Sequence, residues 1–140
     1  MKNQQVIISW EEFENDVKEL VNKIPQGKFT KIVAIAKGGL IPAYYLAKFL
    51  FIDRVETINI QSYKDRERGE LVLTGSKKGS LEKDWLIVDD LVDSGHTAQL
   101  TKKLYPNSQL AVIYKKPNSI ILPEYFSKEM DKWIVFPWEV

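Results

Sequence analysis

A chain of 140 residues has the length of one domain, and 44% apolar with 28% charged residues describes a chain that folds around a core, not a disordered or collagen-like one. Twenty Lys and Arg against nineteen Asp and Glu give a formal charge of +1, which supplies neither the basic field of a nucleic-acid binder nor an acidic solvating tail. The absence of cysteine excludes a disulfide framework, a thiolate zinc site and a thiol nucleophile.

In chain order, Met1 to Gln5 leads into Val6-Ile7-Ile8, too short for a secretory signal. No apolar run approaches a membrane span, so a cytoplasmic location is expected. Ser9-Trp10-Glu11-Glu12 has the S-x-x-E pattern of a capping box, with Ile8 and Phe13 placed as its hydrophobic staple. Phe13, Val17, Leu20, Val21 and Ile24 fall on one helical face, and Pro25-Gln26-Gly27 ends that helix. Lys31 to Ala36 is a β-branched run that reads as a buried strand, broken by Lys37-Gly38-Gly39. A helix is predicted from about Leu40 to Leu50, with Pro42 tolerated in its first turn, and then a strand from Val55 to Ile60.

The polar stretch from Ser62 to Glu70 predicts a long mobile loop; Leu71 to Leu73 resumes extended structure and Gly75 to Ser80 is a turn. Trp85 to Val88 reads as a strand ending at Asp89-Asp90, Thr97 to Tyr105 as a helix stopped by Pro106-Asn107, and Leu110 to Tyr114 as a strand. Strands alternating with helices predict an α/β fold, a mainly parallel twisted sheet flanked by helices. Such sheets bind ligands at the loops leaving the carboxyl ends of their strands. Lys37-Gly38-Gly39, Asp89 to Thr97, and Lys115-Lys116-Pro117 fall at that edge.

The segment richest in chemistry is Leu86-Ile87-Val88-Asp89-Asp90-Leu91-Val92-Asp93-Ser94-Gly95-His96-Thr97. A turn of small residues that opens a helix aims several backbone N–H groups one way, and the helix dipole adds positive potential, so Ser94, Gly95 and Thr97 can cradle a phosphate dianion. Asp89 and Asp90, just upstream, suit either a sugar diol or a hard cation. A pentose 5-phosphate satisfies the whole arrangement. An isolated Asp-Asp after a strand is more often a charged turn with a helix cap; the complete segment favours the site.

This segment resembles the phosphoribosyl-diphosphate (PRPP) signature of the type I phosphoribosyltransferases. The remainder is similar to their xanthine-guanine branch, through Val6 to Trp10, Ile35 to Leu40, Ile60-Gln61-Ser62-Tyr63, Lys116-Pro117 and Trp133 to Trp138. The resemblance covers essentially the whole chain. It implies that Asp89 and Asp90 hold the ribose hydroxyls, with Asp90 the first ligand to magnesium (Mg2+). It implies that Asp93 is the general base facing the purine N7. Ser94, Gly95, His96 and Thr97 would bind the 5-phosphate, and Lys37-Gly38 would form the pyrophosphate loop, where relatives carry a non-proline cis peptide.

By the same resemblance Lys116 donates to the purine O6, Trp133 stacks on the base, and the Ile134 backbone meets the 2-position group. Ser62-Tyr63 begins the loop that closes over PRPP, and Arg68, ahead of Lys64 and Arg66, meets pyrophosphate. The departures are Lys37, where many close relatives carry Arg; Val135, where relatives often carry an acid; and a chain that stops at Val140, short of the best-known relatives.

One domain over residues 1–140 is expected, with a core over about 28–115 and a small hood from 116–140 together with the N-terminal segment. The implied activity is magnesium-dependent transfer of phosphoribose from PRPP to a 6-oxopurine in purine salvage, by a homo-oligomer, dimer or tetramer. A PRPP-sensing regulator would add a DNA-binding element and a basic face, neither evident in this neutral chain. A receiver-type signalling domain would not need the Ser94-to-Thr97 nest. A transferase for orotate or adenine is the nearest rival, and Lys116, Trp133 and Ile134 speak against it.

Overall fold

The computed structural model describes residues 4–62, 71–73 and 81–140, with backbone alone for 61, 62 and 71–73. The elements run β1 (Gln5–Ile7), α1 (Trp10–Lys23), β2 (Lys31–Ala36), α2 (Leu40–Leu50), β3 (Arg54–Ser62), β4 (Leu71–Leu73), β5 (Trp85–Val92), α3 (His96–Leu104), β6 (Gln109–Lys115), β7 (Tyr125–Glu129) and β8 (Trp133–Val135), with a closing 3-10 turn over Pro137–Glu139. Tyr63, Lys64, Arg66 and Arg68 of the expected loop, and the turn expected at 75–80, lie outside the described residues.

Six strands form the main sheet in the order β4-β3-β2-β5-β6-β7. Among the described residues only the β3–β4 pair is antiparallel there. Strand β2, KIVAIA, is buried through its middle on both faces, as a parallel strand covered on both sides must be. Ile32 and Ala34 join Phe13, Val17 and Leu20 of α1 and Leu46 of α2 in one core. Val33 and Ile35 join Ile87, Ala98 and Tyr105 in the other. Each such Leu, Ile or Phe side chain withdrawn from water contributes about 1.5–3 kcal/mol.

Helix α1 starts as its sequence predicts. Glu12 N–H donates to Ser9 Oγ at 3.0 Å and Ser9 N–H donates to Glu12 Oε1 at 2.9 Å, while Ile8 and Phe13 are both buried in the same core. The helix is then tied to the β6–β7 edge of the sheet through Asp16. This buried carboxylate accepts from the Tyr114 hydroxyl of β6 and pairs with Lys128 Nζ of β7 at 3.0 Å.

The chain ends build a separate two-stranded parallel sheet, β1 with β8, in which Val6 pairs with Ile134. Aromatic stacking anchors it: Phe136 lies 5.7 Å from the Tyr114 ring and 4.7 Å from Trp138. Several boundaries differ from expectation for reasons visible in the pairing. Strand β5 continues past the acids to Val92 because β6 keeps pairing with it, Asp89 to Val112 and Leu91 to Tyr114. Helix α3 begins at His96, one residue early, because Gly95 caps it at φ 102°. Strands β7 and β8 are additions: β7 extends the main sheet beyond β6.

Candidate functional site

The site grows from the carboxyl end of β5. Successive residues of a strand leave it towards opposite faces, yet at this strand end the two acids stay in hydrogen-bond contact with each other. Asp89 lines a cleft of about 110 Å³ together with Asp93, Ser94, Gly95, His96 and Thr97. Asp90 lies under the loop that leaves β2. A Cβ on Gly38 would sit 2.6 Å from Asp90 Oδ2, so only glycine lets that backbone rest on the carboxylate. Gly39 N–H donates to the Ile35 carbonyl at 2.8 Å, closing the loop, and the Ala36–Lys37 peptide is cis.

Two neighbouring carboxylates at a buried strand end disfavour their charged forms. Withdrawal from water foremost, then the charge of Asp90, holds the Asp89 carboxyl well above the usual range. Burial also pushes Asp90 up, although its hydrogen bonding with Asp89 works the other way, and the Glu139 carboxylate adds to the rise. Asp90 N–H donates to Asp89 Oδ1 at 2.8 Å. No group of three or more His, Cys, Asp or Glu converges as a metal cage among the described residues. Magnesium needs none: it keeps several waters and is held through one or two carboxylates plus substrate oxygens, a demand this pair fits.

Beyond the acids the chain turns into α3. Gly95 in the left-handed region opens the helix, and its Cβ position is filled by the approach of Ile120, whose N–H donates to the Ser94 carbonyl at 2.8 Å. Ser94 Oγ lies 3.0 Å from His96 Nδ1 and 3.4 Å from the His96 N–H. The first N–H groups of α3 therefore border the cleft with the positive end of the helix dipole behind them.

The third strand-end segment reaches towards the chain-end sheet. Lys116 N–H donates to the Val92 carbonyl at 2.9 Å, and Lys116 Nζ donates to the Lys132 carbonyl at 2.5 Å, directly before β8. Trp133 is 54% exposed and hangs by its N–H on the Gln4 carbonyl at 2.9 Å, while Ile134 is buried. Asp89 and Asp93 share the cleft with the start of α3, Gly38 rests on Asp90, and Lys116 is tied to Val92 and to the residue before Trp133.

The family model described as the phosphoribosyl transferase domain matches residues 5–140. The chain belongs to the phosphoribosyl transferase domain family. It is 37% identical to the xanthine-guanine phosphoribosyltransferase of Chromohalobacter salexigens over 99% of this chain and 86% of that protein. It is 40% identical to that of Desulfotalea psychrophila, over 94% and 84%. Among solved structures, the purine phosphoribosyltransferase of Pyrococcus horikoshii superposes with a TM-score of 0.84 at 32% identity, covering 97% of this chain and 94% of that one.

Within this phosphoribosyltransferase the structure brings together Gly38 with Asp90, and Asp89 and Asp93 with Ser94 to Thr97, and it joins Lys116 to the strand of Trp133 and Ile134. Lys37 and His96 are exposed at the rim. Ser62 ends β3 opposite Leu71. Tyr63 and Arg68 cannot be placed beside them, being outside the described residues.

Two neighbours escaped the sequence reading. Lys132 contributes only a backbone carbonyl, for which a sequence carries no signal. Glu139 bears on Asp90 electrostatically and is held by the Phe136 N–H at 2.9 Å; Pro137 opening a helical turn just before it was the available signal.

Proposed function

We propose that this phosphoribosyltransferase works in purine salvage, moving the phosphoribosyl group of PRPP to guanine, xanthine or hypoxanthine and releasing pyrophosphate. One observation carries the reading: a phosphate-sized cleft at the start of α3 is lined by Asp89 and Asp93, and Asp90 lies next to it at the same end of β5. The names of the relatives, xanthine-guanine phosphoribosyltransferases, supply the base class.

The nest of Ser94, Gly95, His96 and Thr97 binds the 5-phosphate through backbone N–H groups. Asp89 and Asp90 accept from the ribose hydroxyls and hold magnesium, which when bound neutralises the charge of the departing pyrophosphate. Lys37-Gly38 and Arg68 meet pyrophosphate oxygens, and the loop from Ser62-Tyr63 keeps water from the oxocarbenium-like sugar. Asp93 takes the proton from the purine as its nitrogen attacks the sugar. Lys116 donates to O6, Trp133 stacks on the base, and the Ile134 backbone meets the 2-position. Strands β1 and β8 form the hood over a core in the single domain.

The active form is a homo-oligomer in the cytoplasm, with neither nucleic acid nor an integral membrane anchor as partner; no helix among the described residues is long and apolar enough to cross a membrane. Tyr44, Phe51 and Val55 are exposed on one groove of α2 and β3, where Lys48 and Asp53 also lie. An apolar face that carries one charge of each sign suits contact with a second copy of itself.

A product assay with PRPP, magnesium and each of guanine, xanthine, hypoxanthine, adenine and orotate tests the reading. Nucleotide is expected from the 6-oxopurines alone. PRPP binding without turnover on any base would instead make the chain a PRPP-binding regulator.

A further inference from the structure

The amino-terminal edge of the main sheet carries a second cleft, of about 330 Å³. Its walls are the segments that lead into the strands: Lys28 before β2, Lys83 before β5, Ser108 before β6 and Glu124 before β7, joined by Lys102 from the last turn of α3. At about 3.3 Å per residue, β5 alone holds this cleft roughly 20 Å from the Asp89-to-Thr97 site.

The cleft is rich in donors. Its one carboxylate among the described residues is fully engaged, Glu124 Oε2 by Lys102 Nζ and Glu124 Oε1 by the Leu110 N–H at 2.8 Å. Lys28 and Lys83 form no ion pair among the described residues; Lys28 Nζ meets only neutral groups, the Tyr125 hydroxyl at 3.5 Å and the Phe29 ring at 5.6 Å. The Tyr125 hydroxyl donates to Gln109 Oε1 at 2.8 Å, which commits the acceptor of that amide and leaves its NH2, a pure donor, on the cleft wall.

Ser108 supplies an independent sign. The residue is 4% exposed, and its Oγ has no hydrogen-bond partner among the described residues, although its backbone N–H is bonded to the Tyr105 carbonyl at 3.1 Å. Buried hydroxyls are almost always paired, so an orphan in a donor-lined cleft calls for an acceptor.

We propose that this cleft binds a phosphate group, free or carried on a small ester, between Lys28, Lys83, Gln109 and Ser108. Donors arriving from separate strand ends suit a tetrahedral oxyanion, which offers acceptors in several directions, better than a planar carboxylate. The site is remote from the transfer chemistry and independent of it.

Amide-resolved NMR titrations at constant ionic strength test this, with inorganic phosphate, pyrophosphate and GMP as separate probes. Saturable shifts of the amides of 107–109 are expected, distinct from any at 93–97; saturation by inorganic phosphate identifies free phosphate as sufficient, and saturation by GMP alone identifies an ester. The Lys28→Gln/Lys83→Gln pair should weaken that binding roughly tenfold or more. Ser108→Ala should weaken it too, while leaving the melting temperature in phosphate-free buffer undiminished and shrinking the rise that phosphate induces. Shifts confined to 93–97 would overturn the proposal. So would shifts at 107–109 that neither variant alters, or a Ser108→Ala that melts lower with phosphate binding intact.

Discussion

At the phosphate end of the site, Asp89 to Thr97 provide two acids, a third carboxylate and a helix start from one unbroken stretch of chain. At the base end, Lys116 and Trp133 come from separate segments, and the strand carrying Trp133 rests on β1 from the opposite terminus. The difference teaches a division of labour. In the proposed reading, the phosphoribosyl donor is bound mostly by backbone N–H groups, fixed by a strand end and a helix cap. In the same reading, choice of base falls to side chains at or beside a small sheet that a few contacts secure. Damage at the first end should fall on every substrate alike, and damage at the second should appear as altered selectivity.

The largest effect should come from Asp93→Asn, which keeps shape and hydrogen bonding but removes the base. Turnover is expected to fall by about 10²–10⁴-fold with every purine, with PRPP affinity nearly unchanged. Near-normal turnover in steady-state assays would reduce Asp93 to part of a helix cap.

Lys116→Met probes the other end. Facing a 6-amino group, the ammonium keeps the Lys132 carbonyl but meets a second donor where O6 would accept, a mismatch that should reject adenine by about 10³-fold. The variant should lose most of that ratio between guanine and adenine. Trp133→Ala, by contrast, should raise the apparent KM of every base together, since stacking is common to all purines. An unchanged ratio of kcat/KM in Lys116→Met would move selectivity to the backbone near Ile134.

Gly38→Ala joins the two ends. Its Cβ would meet the Asp90 carboxylate at 2.6 Å, so either the loop or the carboxylate must shift. A displacement of about 1 Å at a reacting centre can lower rates by roughly 10²-fold. The loss should be seen as weaker magnesium-dependent PRPP binding by calorimetry and as an equal fall in turnover with every base; a fall restricted to one base would break the division argued above.

These regions also differed in how far the sequence disclosed them. Asp89 to Thr97 was legible because every part is local: a strand, two acids and a small-residue turn are adjacent in the chain, and φ 102° at Gly95 is what a glycine there suggests. The run of β5 to Val92 was not, because hydrophobic periodicity stops at Asp89 while backbone pairing with β6 does not. Strand β8 is three residues long and stable only on β1, so nothing within Trp133–Val135 announces it. The contact of Gly38 with Asp90 joins segments from two strand ends and belongs to tertiary structure alone.

The smallest effect concerns how the hood is hung on the core. Ile8, between β1 and α1, donates its N–H to the Val135 carbonyl at 2.9 Å, and the next residue caps α1. Ser9→Ala removes the acceptor for the Glu12 N–H, a loss of about 1 kcal/mol for an N-cap. In a domain of this size that is roughly 3 °C in melting temperature. Because Ser9 also sets the direction in which β1 leaves the helix, the KM for the base should rise slightly while that for PRPP stays put. The pH dependence has a definite sign. The Ser9 N–H foremost, and the Ser9 hydroxyl next, hold the Glu12 carboxyl below its usual range, so its contribution is present above the ordinary carboxylate pKa and is lost as pH falls through the lowered folded value. Ser9→Ala keeps that N–H and loses only the hydroxyl's smaller share, so the gap in melting temperature between wild type and Ser9→Ala should be only slightly wider near neutrality than in acid. A gap that instead widened in acid would mean that the capping box does not connect hood and core, and base selectivity would have to be secured by Phe136 on Tyr114 alone.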